Sequence, residues 1–311
     1  MPRHNYAGQF GWIEPKKRTA AVSASYEKHR DAQPVFGSAA LSIEGTGRGK
    51  IVLLHKVLEK VHGHFPVHLQ TIGDCVSHGY GGAVDVLTAV EIEMCGEPER
   101  WPGLLTATEW IYGTSRVLQG GGQLGNEDGS LGAWAQAAVK QHGTLLRKAY
   151  GGIDLTTYDG NVAKDWGNQG LPRELETTAD EHSVGTTALV TSYEEARDAI
   201  ANGYPVPVCS TQGFEDVRDA DGFARPKGKW PHCMFYVAVD DTGNRPGLLC
   251  VNSWGPDWIS GPTRHGQPQG SFWVDADVAH RMLQGGDSYA LSNFNGYKRR
   301  PGLDYTLDAL G

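Results

Sequence analysis

Apolar and polar positions change their spacing midway along the chain. Ile51 to Val61 (IVLLHKVLEKV) has helical spacing and predicts a short helix. From Ala83 to Met94 apolar residues recur at three and four, which predicts a second helix stopped near Gly96 and Pro98. Further helices are predicted around Thr106–Leu118 and Leu131–His142, with a glycine-rich turn between them. Residues 144–185 read as loop-rich. Ser192, a good N-cap with Glu195 three residues on, opens a helix ended by Gly203 and Pro205. From there the texture is β: Met234–Asp240, Leu248–Asn252 and Gly270–Asp275 read as strands, the first two joined by the turn-forming DDTGNRPG. Residues 1–50 show little periodicity and read as an N-terminal extension or arm.

Helices first and strands later is an α+β pattern of two lobes. The boundaries it suggests are 1–50 for the arm, 51–185 for a mainly helical lobe and 186–311 for a β-rich lobe. The 311 residues are ample for a core, and 39 % apolar residues is an ordinary globular mixture. Twenty-eight basic against 36 acidic residues give a net charge of −8, which argues against capture of nucleic acid or anionic membrane. No apolar run reaches a secretory signal or a membrane span, so a protein in the cytoplasm or within a virus particle is expected.

Five cysteines (75, 95, 209, 233 and 250) form no CxxC pair, so neither a zinc knuckle nor a thioredoxin motif is supported. Free thiols in a reducing compartment are the expectation. Cys75 follows Gly73-Asp74 at the inferred start of a helix, where the helix dipole favours a thiolate. Gly79, Gly81 and Gly82, poor helix formers, suggest close packing against that helix. Thiol catalysis also needs a histidine and a group that orients it. His232 lies ten residues before the turn midpoint at Thr242 and Asn252 ten after it, so an antiparallel hairpin sets the two roughly opposite. Trp254 and Trp258 follow and would shield their hydrogen bond from water. An oxyanion needs donors, for which the backbone N–H of Cys75 and the side-chain amide of Gln70 are the candidates. Cys95, Cys209, Cys233 and Cys250 read as core. His78, three residues after Cys75, is a rival base without an orienting partner. His62, His64 and His68 with Cys75 lack a diagnostic metal spacing, and no metal or cofactor is expected. GTGRGK at 45–50 is too short for a phosphate loop, and GGGQLG at 120–125 follows no convincing strand.

Together these segments resemble the papain-like cysteine peptidases: Gln70…Gly73-Asp74-Cys75, a histidine heading a strand, and Asn252-Ser253-Trp254-Gly255 with Trp258. Asn126-Glu127-Asp128-Gly129-Ser130 before a helix, SYEEARDAIANGYPVPV, and GSFWVDADV resemble further parts of that fold in its order, over roughly residues 65–290 and especially in bacterial members. The resemblance implies a helical lobe followed by an antiparallel, barrel-like β lobe. It implies a Cys75–His232–Asn252 triad, Gln70 at the oxyanion, and Gly129, Ser130 and Trp254 at a peptide or protein substrate. Two other functions fit the same residues. One is a structural or interaction role, for example in a virion, with the N-terminal arm meeting an assembly partner. The other is thiol chemistry on a non-peptide amide or acyl acceptor.

Overall fold

The computed structural model describes residues 9–15, 18–95 and 105–300, apart from the side chains of 94 and 95; the Cys95 side chain and the helix stop at Gly96 and Pro98 therefore lie outside what is described. The first half carries α1 (Ala20–Asp31), α2 (Phe36–Ala39), β1 (Ile51–Leu53), α3 (Leu54–His62), α4 (Cys75–Cys95), α5 (Thr108–Gly113), α6 (Gly132–Gln141), β2 (Ala149–Tyr150), β3 (Ile153–Asp154), α7 (Gly160–Gln169) and α8 (Glu176–Asp180). The second carries β4 (Thr186–Leu189), α9 (Tyr193–Ala201), β5 (Val206–Arg218), β6 (Ala224–Asp240), β7 (Gly247–Val251), β8 (Ser271–Asp275), α10 (Ala276–Leu283) and β9 (Tyr289–Ser292). Among the described residues no helix is long and apolar enough to cross a membrane.

This is the expected α+β mixture, with one correction. The sheet β1-β6-β7-β8, with β5 also on β6, is antiparallel and open rather than closed into a barrel. β4 and β9 form a separate antiparallel pair. β1 takes the first residues of the predicted 51–61 helix, because Ile51, Val52 and Leu53 pair with Asp240, Val239 and Ala238. Tertiary pairing outweighs a helical pattern in three β-branched and aliphatic residues. At α9, Ser192 accepts from the Glu195 amide as predicted, while the Glu195 carboxylate reaches one residue further back, to the Thr191 amide (2.6 Å).

α4 is the element that places the site. It begins at Cys75, eight residues before its periodic stretch, and its three early glycines let β6 and α5 lie directly against it. A Cβ on Gly82 would sit 2.4 Å from the Phe235 ring, one on Gly79 2.9 Å from Cys233 Sγ, and one on Gly81 2.7 Å from Thr108 Cγ2. Glycine costs helix stability, and here the close contact of helix and strand offsets that cost.

The first fifty residues are not a loose arm where they are described. Thr19 caps α1, which buries Val22 and Tyr26, and Ser25 accepts from the Trp134 indole of α6 (3.0 Å). Asp198 of α9 accepts from the amides of Gly45 and Gly47 at 2.7 and 2.9 Å. α1 escapes a periodicity reading because only two of its twelve residues are buried.

Candidate active site

Four segments meet around Cys75: the loop 69–74, the start of α4, the strand β6 at His232, and the turn 252–255 after β7. His232 Nε2 lies 2.7 Å from Asn252 Oδ1, which also accepts from the Ser253 amide at 2.7 Å. Asn252 Oδ1 is therefore the acceptor and Nε2 carries the proton. That leaves His232 Nδ1, which is buried and makes no hydrogen bond, as the ring's basic atom. The next residue along the strand, Cys233, donates its amide to Cys75 Sγ at 3.3 Å, which sets the thiol against the strand one residue on from the histidine.

The hairpin brings His232 and Asn252 together diagonally. Tyr236 pairs with Cys250, so four residues back from the one and four on from the other, His232 falls opposite Trp254. The rings of His232 and Trp254 lie 4.8 Å apart, tilted by 36°, and Asn252 reaches the imidazole from two residues short of that position. The indoles of Trp230 and Trp258 close round Trp254, at 4.8 and 5.5 Å between centroids.

Gln70 is tied to the same turn: its amide donates to Ser253 O (2.8 Å) and its Oε1 accepts from Ser253 Oγ (2.5 Å). These bonds fix the side-chain orientation so that Nε2 is the donor facing the cleft. It donates to Ile72 O and, at 2.7 Å, to Gln9 O, a peptide carbonyl of the chain's own N-terminal segment.

Sequence reasoning missed that segment. Residues 9–13 cross the cleft as a strap. Ser130 N donates to Gly11 O (2.8 Å), Ile13 N to Ser130 O (3.0 Å) and Trp12 N to Pro231 O (3.2 Å), which pins the strap to both walls. Trp12 runs parallel to Ser130. Phe10 packs its ring among His232, Trp254 and Trp230, with centroids 5.6–6.3 Å away. The Gly11 amide faces the Cys75 thiol. Gly129, at φ 111°, has room for Gly11 O only because it lacks a Cβ. The only sequence signal was a Phe-Gly-Trp triplet in an otherwise polar stretch.

The strap sets the electrostatics. Cys75, His232, Gln70 and Asn252 are all 0 % exposed. Burial pushes the Cys75 thiol up, Cys233 adds to the effect, and the Cys233 and Gly11 amides oppose it. Burial likewise pulls His232 down to about 4, against the Asn252 hydrogen bond. In the strapped state the pair is thus thiol and neutral imidazole, because neither charge is solvated.

His78 does not face Cys75. It lies 3.4 Å from Asp74 Oδ2 and 3.0 Å, Nδ1 to Nδ1, from His68, while Tyr158 donates to Asp74 at 2.8 Å. Among the described residues no three His, Cys, Asp or Glu side chains gather as a metal site.

No protein-family model matches the chain, and no curated protein matches it in sequence. Solved structures do resemble it. Xylellain, a cysteine protease from Xylella fastidiosa, superposes with a TM-score of 0.59 over 94 % of this chain and 98 % of its own, at 13 % identity. Procathepsin B from Trypanosoma congolense superposes with a TM-score of 0.51 over 92 % of this chain and 93 % of its own, at 11 % identity. Both superpositions extend over more than nine-tenths of each chain, and the chain therefore has the papain-like cysteine peptidase fold.

Proposed function

We propose that the protein is a cysteine peptidase held latent by its own residues 9–13. The observation that carries this reading is the 2.7 Å bond from Gln70 Nε2 to Gln9 O. The candidate oxyanion donor already binds a peptide carbonyl beside Cys75 and the His232–Asn252 pair.

With the strap displaced, water reaches the cleft and the charged forms are solvated. His232 takes the Cys75 proton on Nδ1, Asn252 holds the ring through Nε2, and the helix N-terminus favours the thiolate. The sulfur attacks a substrate carbonyl carbon. The carbonyl π electrons move to oxygen, where Gln70 Nε2 and the Cys75 amide stabilise the charge. Collapse breaks the C–N bond as His232 gives its proton to the leaving amine, and a thioester remains. His232 then removes a proton from water, hydroxide displaces the thiolate, and the carboxylic product leaves. Ser130 supplies the backbone N–H and C=O along which a peptide would extend.

The strap binds Ser130 in a parallel sense. A strand that offers one residue to both groups of Ser130, as antiparallel pairing does, would run the other way. Reversed polarity explains how a peptide can fill the cleft of a peptidase uncut. The similar structure from Trypanosoma congolense is a proenzyme, procathepsin B.

Peptide turnover by a strap-opened full-length protein, with and without Cys75→Ala, tests the reading. Turnover that needs Cys75 is expected. Turnover that survives Cys75→Ala would overturn the assigned nucleophile. An opened cleft with no reactive Cys75 would favour a structural or interaction role, with which a sealed site agrees equally well.

A further inference from the structure

Trp12 sends its side chain out of the cleft into the fold, where its indole Nε1 donates to Asp287 Oδ2 at 2.8 Å. Asp287 is 0 % exposed. Its other donors are the first two amides of α6, Gly132 (2.7 Å) and Ala133 (2.6 Å). The approach is so close that a Cβ on Gly132 would sit 2.3 Å from Asp287 O. Burial pushes the Asp287 carboxyl up to about 7, and these three N–H donors pull the other way. Beside the indole lies a cavity of about 470 Å³, lined by Trp12 itself, Tyr26, Ser210, Met282, Gln284 and Gly285. Glu14, Lys229 and Arg281 line it too. Two of the carboxylate's donors belong to the fold and stay. The third belongs to a segment that must leave before a substrate can enter.

Resting on the peptidase reading, we infer that Asp287 makes the Trp12 pocket of the opened enzyme prefer a substrate residue ending in an N–H donor, indole or guanidinium, over an apolar residue of the same size. The backbone argument and the chemistry converge. Trp12 is the strap residue opposite Ser130, so a peptide that uses the same Ser130 groups presents its residue opposite Ser130 to the same pocket. An apolar side chain there would bury Oδ2 with one donor missing, and leaving a buried acceptor short of a partner costs more than the bond contributes when made. A site built to receive an N–H rejects the analogue that lacks it for this reason.

The test compares peptides that differ only at the position opposite Ser130, with Trp, 2-naphthylalanine, Arg or Leu, on full-length protein carrying Gly11→Ala to open the strap. Trp and naphthylalanine match in size and differ in the N–H. A kcat/KM roughly 10- to 100-fold higher for Trp than for naphthylalanine is expected, with Arg also above Leu. Asp287→Asn puts an amide NH2 or a neutral oxygen against three donors and should collapse the Trp advantage to within about twofold. Because that variant also weakens the α6 cap and can fail to fold, the Trp/naphthylalanine ratio of the Asp287 protein decides by itself. A ratio near one, or naphthylalanine preferred, overturns the proposal. Absence of turnover for all four peptides, with Cys75 accessible to iodoacetamide, overturns the peptidase reading instead.

Discussion

Replacing Gly11 by alanine should unseal the site. A Cβ at Gly11 would lie 1.9 Å from Gly73 O, 2.3 Å from Gly73 C and 3.0 Å from its Cα, all backbone atoms of the loop that leads into α4. No rotamer change relieves a clash with backbone, so the strap must retreat from 1.9 Å to about 3.4 Å, the onset of ordinary carbon contact. A retreat of about 1.5 Å stretches its bonds to Gln70, Ser130 and Pro231, now 2.7–3.2 Å, beyond hydrogen-bond length. Losing these four bonds at about 1 kcal/mol each is roughly 4 kcal/mol, or about 10³-fold in the closed-to-open ratio. The assay is the rate of Cys75 alkylation by iodoacetamide, read by mass spectrometry from pH 6 to 10. Wild type should react slowly at neutral pH, because burial raises the thiol and lowers His232. Gly11→Ala should react up to about 10³-fold faster at pH 7, with the profile moved to lower pH. Gly152→Ala is the control: a Cβ there meets nothing within 4 Å. Equal alkylation rates in wild type and Gly11→Ala, with both folded by circular dichroism, would refute the seal.

In the Gly11→Ala background, His232→Ala should abolish the low-pH limb of Cys75 alkylation and return the thiol to ordinary behaviour near pH 8.5; a retained limb would assign the activation to the helix N-terminus alone. The buried histidines make the fold acid-sensitive. His55 is pulled down to about 3 and His232 to about 4 by burial, so the unfolded chain binds their protons first. Their contribution to stability is present above pH ~6.5 and is lost as pH falls toward 4, while Asp287, pushed up to about 7, acts in the opposite sense; a melting midpoint that falls as much in His55→Gln as in wild type between pH 7 and pH 4.5 would contradict it. Gly82→Ala drives a methyl to 2.4 Å from the Phe235 ring and should cost about 1–3 kcal/mol, lowering the melting midpoint by several degrees, although alanine is the better helix former. A neutral or raised midpoint would mean that α4 and β6 are less tightly packed than these contacts imply.

Local rules carried much of this protein. A cysteine after Gly-Asp at a helix start, a histidine and an asparagine flanking one hairpin, and glycines on one helix are signals within a few residues or across a single turn, and they were legible in the chain. So was the helix-then-strand order behind the α+β assignment. Closure of the sheet was not legible, because it depends on strand tilt and on which edges meet. His78 and Asp74 are four apart, as helical spacing pairs them, but the contact of His78 with His68 comes from the loop before α4, which spacing does not name. Least legible of all were the strap and Asp287. Gln9 and Gln70 are 61 residues apart, and Trp12 and Asp287 are 275 apart. No periodicity, cap or turn chemistry links such positions, since their contacts exist only once both lobes and the first fifty residues have packed. The sequence by itself determined which residues could do thiol chemistry. Tertiary packing decided whether water, charge and substrate can reach them.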